Sequence, residues 1–159
     1  MRTGPDRAPT ATVFIVSVVT FYLFLSTISV FISRTNITFL IALIIVLTGL
    51  LVEVSCVWLL LAFKSVTYRF RATLVALLGT SSILLVFLVP FNLLVLNTDN
   101  ESAVFFANTS YWLIFGWWLA VAGYIYNRAI NVSIIQGSAL ALLIEVLSVI
   151  ASSPMQPTS

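Results

Sequence analysis

Two carboxylates stand in a chain apolar enough to carry none. Glu53 interrupts "LLVEVSCVWLLL" (Leu50 to Leu61), and Glu145 interrupts "LALLIEVLSVI" (Leu140 to Ile150). No basic residue lies within ten positions of Glu53. An acid in such a setting has two roles open to it. It can tie one helix to another through a hydrogen bond, worth about 0.6 kcal/mol inside a membrane. Alternatively it can bind and release a proton or cation, the role for which intramembrane ionisable residues are candidates by default. In its protonated form each glutamate donates one hydrogen bond. The partners within reach of the pattern are Asn92, Gln136, Tyr22, Thr20, Ser81 and Ser82. With no basic partner and no chain of polar residues, the balance tips toward the structural tie.

Other chemistry is poorly served. The chain has no histidine and one cysteine, Cys56, so His-ligated metals and His-assisted nucleophiles are excluded. The only aspartates, Asp6 and Asp99, fall on opposite sides of the expected membrane and cannot pair. No phosphate loop, metal motif or nucleophile elbow is present. The expectation is a non-enzyme with no catalytic residue, no metal site and no cofactor. The net charge of +2 comes without a basic stripe interleaved with aromatics, so no nucleic-acid partner is expected.

The elements that must position the two acids follow from composition. Of 159 residues, 61% are hydrophobic and 8% charged, with a mean hydropathy of +1.16. Soluble domains carry roughly 25% charged residues. About 20 apolar residues cross a hydrocarbon core of about 30 Å as a helix, and five runs qualify: residues 12–32, 37–63, 72–96, 103–126 and 129–151. The fold class is therefore all-α, a polytopic membrane helical bundle of five spans, with residues 1–159 forming one transmembrane domain. The first run is too long for a cleaved signal core of about 7–15 residues and is expected to be retained. The lipid bilayer is the first partner. The head "MRTGPDRAPT" and the tail "SSPMQPTS" are expected to be mobile.

Short basic loops set the orientation. With the N-terminus in the cytoplasm, Arg2, Arg7, Lys64, Arg69, Arg71 and Arg128 lie inside and only Arg34 outside, which predicts N-in, C-out. The loop "KSVTYRFR" offers Lys64, Tyr68, Arg69 and Arg71 to anionic headgroups, at about 1 kcal/mol per basic residue, or to a docking partner in the cytoplasm. The sequons at Asn36, Asn100, Asn108 and Asn131 are read as chance triplets.

Helical spacing predicts where the acids point. Ser133, Gly137, Ala141 and Glu145 recur every fourth residue and share a face. Ala42, Gly49 and Cys56 recur every seventh, with Glu53 four after Gly49. Small residues mark the faces along which membrane helices approach one another, so both carboxyls should face the bundle interior. Eighteen Leu, Ile, Val and Phe residues in 37–63, each worth about −0.3 to −0.6 kcal/mol, outweigh the cost of about 2.5–3.5 kcal/mol for one acid. Counted from the span midpoints, the two acids should differ by about 12 Å in depth, too far for a carboxyl dyad. Gly116, Ala120 and Gly123 form a further expected packing stripe, Trp117 and Trp118 are expected to fill space against a neighbour, and Pro90 is expected to kink its span.

Over roughly its C-terminal half the chain resembles the Yip domain family (Rab/Ypt-interacting membrane proteins and their bacterial relatives). The segment "YRFRATLVALLGTSSILLVFLVPFNLL" is similar to the family's third span after a short basic loop. The segment "WLIFGWWLAVAGYIYNRAINVSIIQGSALALLI" is similar to its final hairpin, with Gly123 in an aromatic-rich helix and Ser133, Gly137 and Ala139 in the next. The resemblance implies a non-enzymatic bundle that binds other membrane proteins; in eukaryotic members these are small GTPases and trafficking factors. The leading expectation is thus a multi-pass scaffold or accessory protein associated with other membrane subunits, in a bacterial inner membrane rather than a eukaryotic endomembrane. The alternative is a small transporter or channel component in which Glu53 and Glu145 are proton or cation sites.

Overall fold

The structure, a computed structural model, describes residues 12–33, 37–96 and 100–153. The head with Arg2, Asp6 and Arg7, the residues Arg34, Asn36 and Asp99, and the tail from 154 lie outside them. Among the described residues there are five α-helices: α1 (Thr12–Ser33), α2 (Phe39–Phe63), α3 (Phe70–Leu96), α4 (Glu101–Ile130) and α5 (Ile134–Ser152), with a 3-10 turn at Thr67–Arg69 between α2 and α3. No strand occurs among the described residues. All five helices are long and apolar enough to span a membrane. The shortest, 19 residues, is about 28 Å long at 1.5 Å per residue.

Local chemistry sets the helix ends. Thr38 caps α2 by accepting from Ile41 N, and Asn100 caps α4 by accepting from Ser102 N at 3.0 Å. α4 carries Glu101 in its first turn and Arg128 in its last, complementing the helix dipole. It stops at Asn131, which takes the left-handed conformation at φ 58°, a position asparagine tolerates. Ser133 and Gln136 then form a reciprocal capping box at the start of α5. This corrects the expected turn at Asn127–Arg128. Those polar residues are the last turn of α4, and the chain reverses at Asn131–Ser133 instead.

α2 ends at Lys64, followed by Ser65 at φ 57°. A serine there bears a cost of about 1–2 kcal/mol that glycine avoids. Ser65→Gly is therefore expected to raise the thermal unfolding midpoint in detergent by a few degrees, and an unchanged or lower midpoint would contradict this account of the turn.

The helices close into a ring. α1 packs on α3, α3 on α4, α4 on α5, α5 on α2, and α2 on α1, with α2 also touching α3 across the middle. Arg69 and the α4–α5 turn meet at one end, here called the basic end, while Ser33 and Asn92 meet at the other. The ring's outer surface is apolar, with Leu51, Trp58, Phe63, Phe105, Ile135 and Leu143 among its most exposed large side chains. Such a surface suits lipid.

The interior is not filled evenly. Toward the basic end Val57, Leu61, Leu77, Ala122, Tyr126 and Ala129 pack as one core, and Leu50, Leu74 and Leu78 form a second. The tightest seam is α4 against α5. A methyl group built on Gly137 would strike the Gly123 carbonyl, and one built on Gly123 would meet Ile134 O at 2.7 Å. Among the described glycines this pair alone allows backbone-to-backbone contact. Gly116 faces open space and Ala120 is exposed, so of the expected stripe on α4 only Gly123 packs. α3 continues as helix through Pro90.

Candidate functional site

Toward the end opposite the basic one the ring is hollow. A cavity of about 530 Å³, partly open, reaches from the middle of the bundle to that end. Its lining is unusually polar for a membrane interior. α1 contributes Tyr22, Ser26, Ser29 and Ser33, spaced i, i+4, i+7 and i+11 and therefore on one helical face. α5 contributes Glu145, Ser148 and Ser152, spaced i, i+3 and i+7. α3 adds Ser81 and Asn92, and α4 adds Tyr111, Phe115 and Trp118. Gly49 of α2 leaves room for Ser148, whose Oγ would lie 2.8 Å from an added methyl.

Two of these hydroxyls spend their hydrogens locally. Ser33 Oγ donates to Ser29 O at 2.7 Å and Ser152 Oγ to Val149 O at 3.0 Å. Ser26 is 8% exposed, and its Oγ has no hydrogen-bond partner, although it lies beside the Tyr22 phenol. A buried hydroxyl left unpaired costs about 1–3 kcal/mol. A space of this size lined by polar atoms can hold water or a solute that satisfies it.

Glu145 lies on the cavity wall. Glu53, on the neighbouring α2, lies close by, and both acids lie near Tyr22. Glu53 also lies near Tyr126, toward the basic end. Both acids thus face the ring interior. Among the described residues neither carboxyl has a hydrogen-bond partner. The expected separation in depth is revised. On the observed bounds each acid lies two residues past the middle of its helix, Phe39–Phe63 or Ile134–Ser152, which gives about 6 Å at 1.5 Å per residue. The expected value was larger mainly because the fifth span was taken to begin five residues too early, and in smaller part because the second was taken to begin two residues too early.

The other expected site residues scatter. Asn92 is at the cavity's outer end, where its Nδ2 donates to Ser33 Oγ at 3.5 Å. Gln136 is exposed and committed to the α5 capping box, so it cannot serve either acid. Ser82 donates to Leu78 O within its own helix. Of the partners expected for the acids, Tyr22 is the one placed beside them. In the basic loop Lys64, Tyr68 and Arg71 are exposed, whereas Arg69 turns inward and donates from Nη1 to Arg128 O at 3.1 Å and Ala129 O at 3.2 Å. The two tryptophans divide. Trp118 is buried on the cavity wall, with its indole N–H donating to Ser81 Oγ at 3.1 Å. Trp117 is half exposed on the lipid side.

The serines of α1 and α5 were not singled out from the sequence. Their signal is present, a polar repeat of helical period within apolar runs, but single serines in such runs usually bond back to their own helix and draw no attention. Compared with family models, curated proteins and solved structures, the chain matches none.

Proposed function

We propose that this protein binds a small solute within the membrane and acts as a transporter or channel component, with Glu145 at the binding cavity and Glu53 beneath it. One observation carries this reading: an acid and a converging set of hydroxyls line a hollow in a bundle whose outer surface is apolar. Glutamates serving as helix ties would be bonded to neighbouring helices, and these have no partner among the described residues. A volume of about 530 Å³ lies within the range of about 300–1,000 Å³ typical of small-molecule sites.

The test uses single cysteines at Ser29 and Ser148 in a Cys56→Ser background, in intact membranes. Both are expected to react with a membrane-impermeant thiol reagent, while a cysteine at Leu143, on the lipid side, stays unlabelled. Reaction from the extracytoplasmic face alone is the result expected for N-in, C-out orientation. Failure of both cavity positions to react in folded protein would remove the solute-binding reading.

A second reading has its own support. On the lipid side of α3 and α4, Phe87, Phe91, Leu113, Ile114 and Trp117 line an apolar groove of about 470 Å³. A helix from another membrane subunit would pack in such a groove. Under this reading the protein is the scaffold expected from the sequence and from the resemblance to the Yip family, and its proposed setting is beside other subunits in a bacterial inner membrane. Mild-detergent purification recovering a stoichiometric larger complex, lost on Trp117→Ala, is the outcome that reading requires.

A further inference from the structure

The cavity's atoms discriminate by charge. Two of its hydroxyls, Ser33 and Ser152, donate into their own helices and present oxygen as acceptors, and the Trp118 N–H is taken by Ser81. Its one ionisable acid is Glu145, and no Lys or Arg lines it. The described basic residues Lys64, Arg69, Arg71 and Arg128 all lie at the basic end, beyond the apolar core. Ser26, buried and unpartnered, adds a further oxygen.

Much of the remaining wall is aromatic. Tyr111 stacks on Phe115 with centroids 6.4 Å apart and 7° between planes, and Phe115 on Trp118 at 5.8 Å and 21°. This ladder belongs to α4, which faces α1 across the ring. A molecule filling the space would therefore meet the hydroxyls of α1 across from the aromatic carbon of α4, with the acid of α5 beside that ladder.

We infer that the cavity takes an organic cation, a protonated amine carried on an aromatic or aliphatic body. The ammonium supplies the positive charge that the cavity lining lacks, and charge-assisted hydrogen bonds from ammonium to carboxylate and hydroxyl oxygen are the strong ones. The body lies along Tyr111, Phe115 and Trp118, where apolar area is covered. This inference rests on the cavity being a solute site at all, and the experiment separates the two.

Tryptamine, tryptophol and indole-3-propionate share one ring system and differ in the charge of the side chain. Their binding to the full-length protein in nanodiscs is measured by calorimetry. Tryptamine is expected to bind at least tenfold more tightly than tryptophol, with no binding of indole-3-propionate. Glu145→Gln is expected to weaken tryptamine at least tenfold and leave tryptophol unchanged. Tyr111→Leu, at a partly exposed position, is expected to weaken both about threefold, and Glu101→Gln, outside the cavity, neither. Equal affinity for amine and alcohol, preference for the propionate, indifference to Glu145→Gln, or no binding of any probe would overturn the cation assignment. If the Ser29 and Ser148 cysteines still label in that case, the solute site survives; if they do not, both ideas fall.

Discussion

Replacing Gly137 by alanine is expected to unfold or disperse the bundle, although it adds one methyl group. The added carbon would fall on the backbone of Gly123, with Cα and carbonyl carbon both 3.1 Å away and the carbonyl oxygen nearer still. Backbone cannot rotate aside as a side chain can, so α4 and α5 must separate along their length. Overpacking a core costs about 1–3 kcal/mol where side chains adjust, and this site belongs at or above the top of that range. Gly123→Ala meets Ser138, whose Oγ already donates to Leu119 O at 2.9 Å, and should behave similarly. Gly79→Ala and Gly116→Ala are the controls, because no atom lies within 4 Å of the added methyl at either site. Helix propensity alone makes these neutral or stabilising by about 0.5–1 kcal/mol. Gel filtration and thermal unfolding in detergent report the outcome; a Gly137→Ala protein as monodisperse and stable as the Gly116→Ala control would contradict the packing described.

Arg69→Ala is expected to loosen the basic end. The guanidinium reaches from the 3-10 turn to two carbonyls of the last turn of α4, groups that a helix leaves unpaired and that carry its negative pole. Hydrogen bonds involving a charged group contribute about 1.5–3 kcal/mol each. Because Arg69 is only half-buried, about 2 kcal/mol for the whole substitution is the reasonable scale. Arg69→Lys should recover part of the loss, since an ammonium carries charge without the planar fork. Arg71→Ala, at an exposed position, should leave stability near wild type. Amide exchange over residues 127–131 is the direct readout: a marked speeding in Arg69→Ala alone is expected, and equal rates in both alanine variants would show that the contact does not hold the turn.

How much of this was legible in the sequence depends on the physics behind each feature. The spans were legible because a membrane imposes a length and a hydropathy on each one, whatever its neighbours do. The inward face of both acids could be read from the small residues at helical spacing around them. The α4–α5 turn was misplaced because Asn127 and Arg128 lower the hydropathy where the helix in fact continues. Asn131 and the Ser133–Gln136 pair, which do end one helix and start the next, were the better signal. The order of helices around the ring was not legible, since lipid-facing and partner-facing apolar residues look alike in composition. Without that order the hydroxyls of α1 and α5 cannot be assigned to one hollow, nor Trp118 separated from Trp117.

The order of helices around the ring also differs from their order along the chain, and this bears on biosynthesis. α2, which carries Glu53, is flanked by α1 and α5, and α5 is made last. At about 5–20 residues per second, the ribosome takes on the order of several seconds to deliver the missing neighbour. Throughout that interval the acid-bearing side of α2 has α1, with Tyr22, beside it but lacks the wall that α5 supplies, so its carboxyl stays more open to its surroundings than in the finished bundle. The docking of α5 is thus a late step in assembly, and a chain arrested before it would leave one flank of that carboxyl uncovered, a mark by which membrane quality control could single it out.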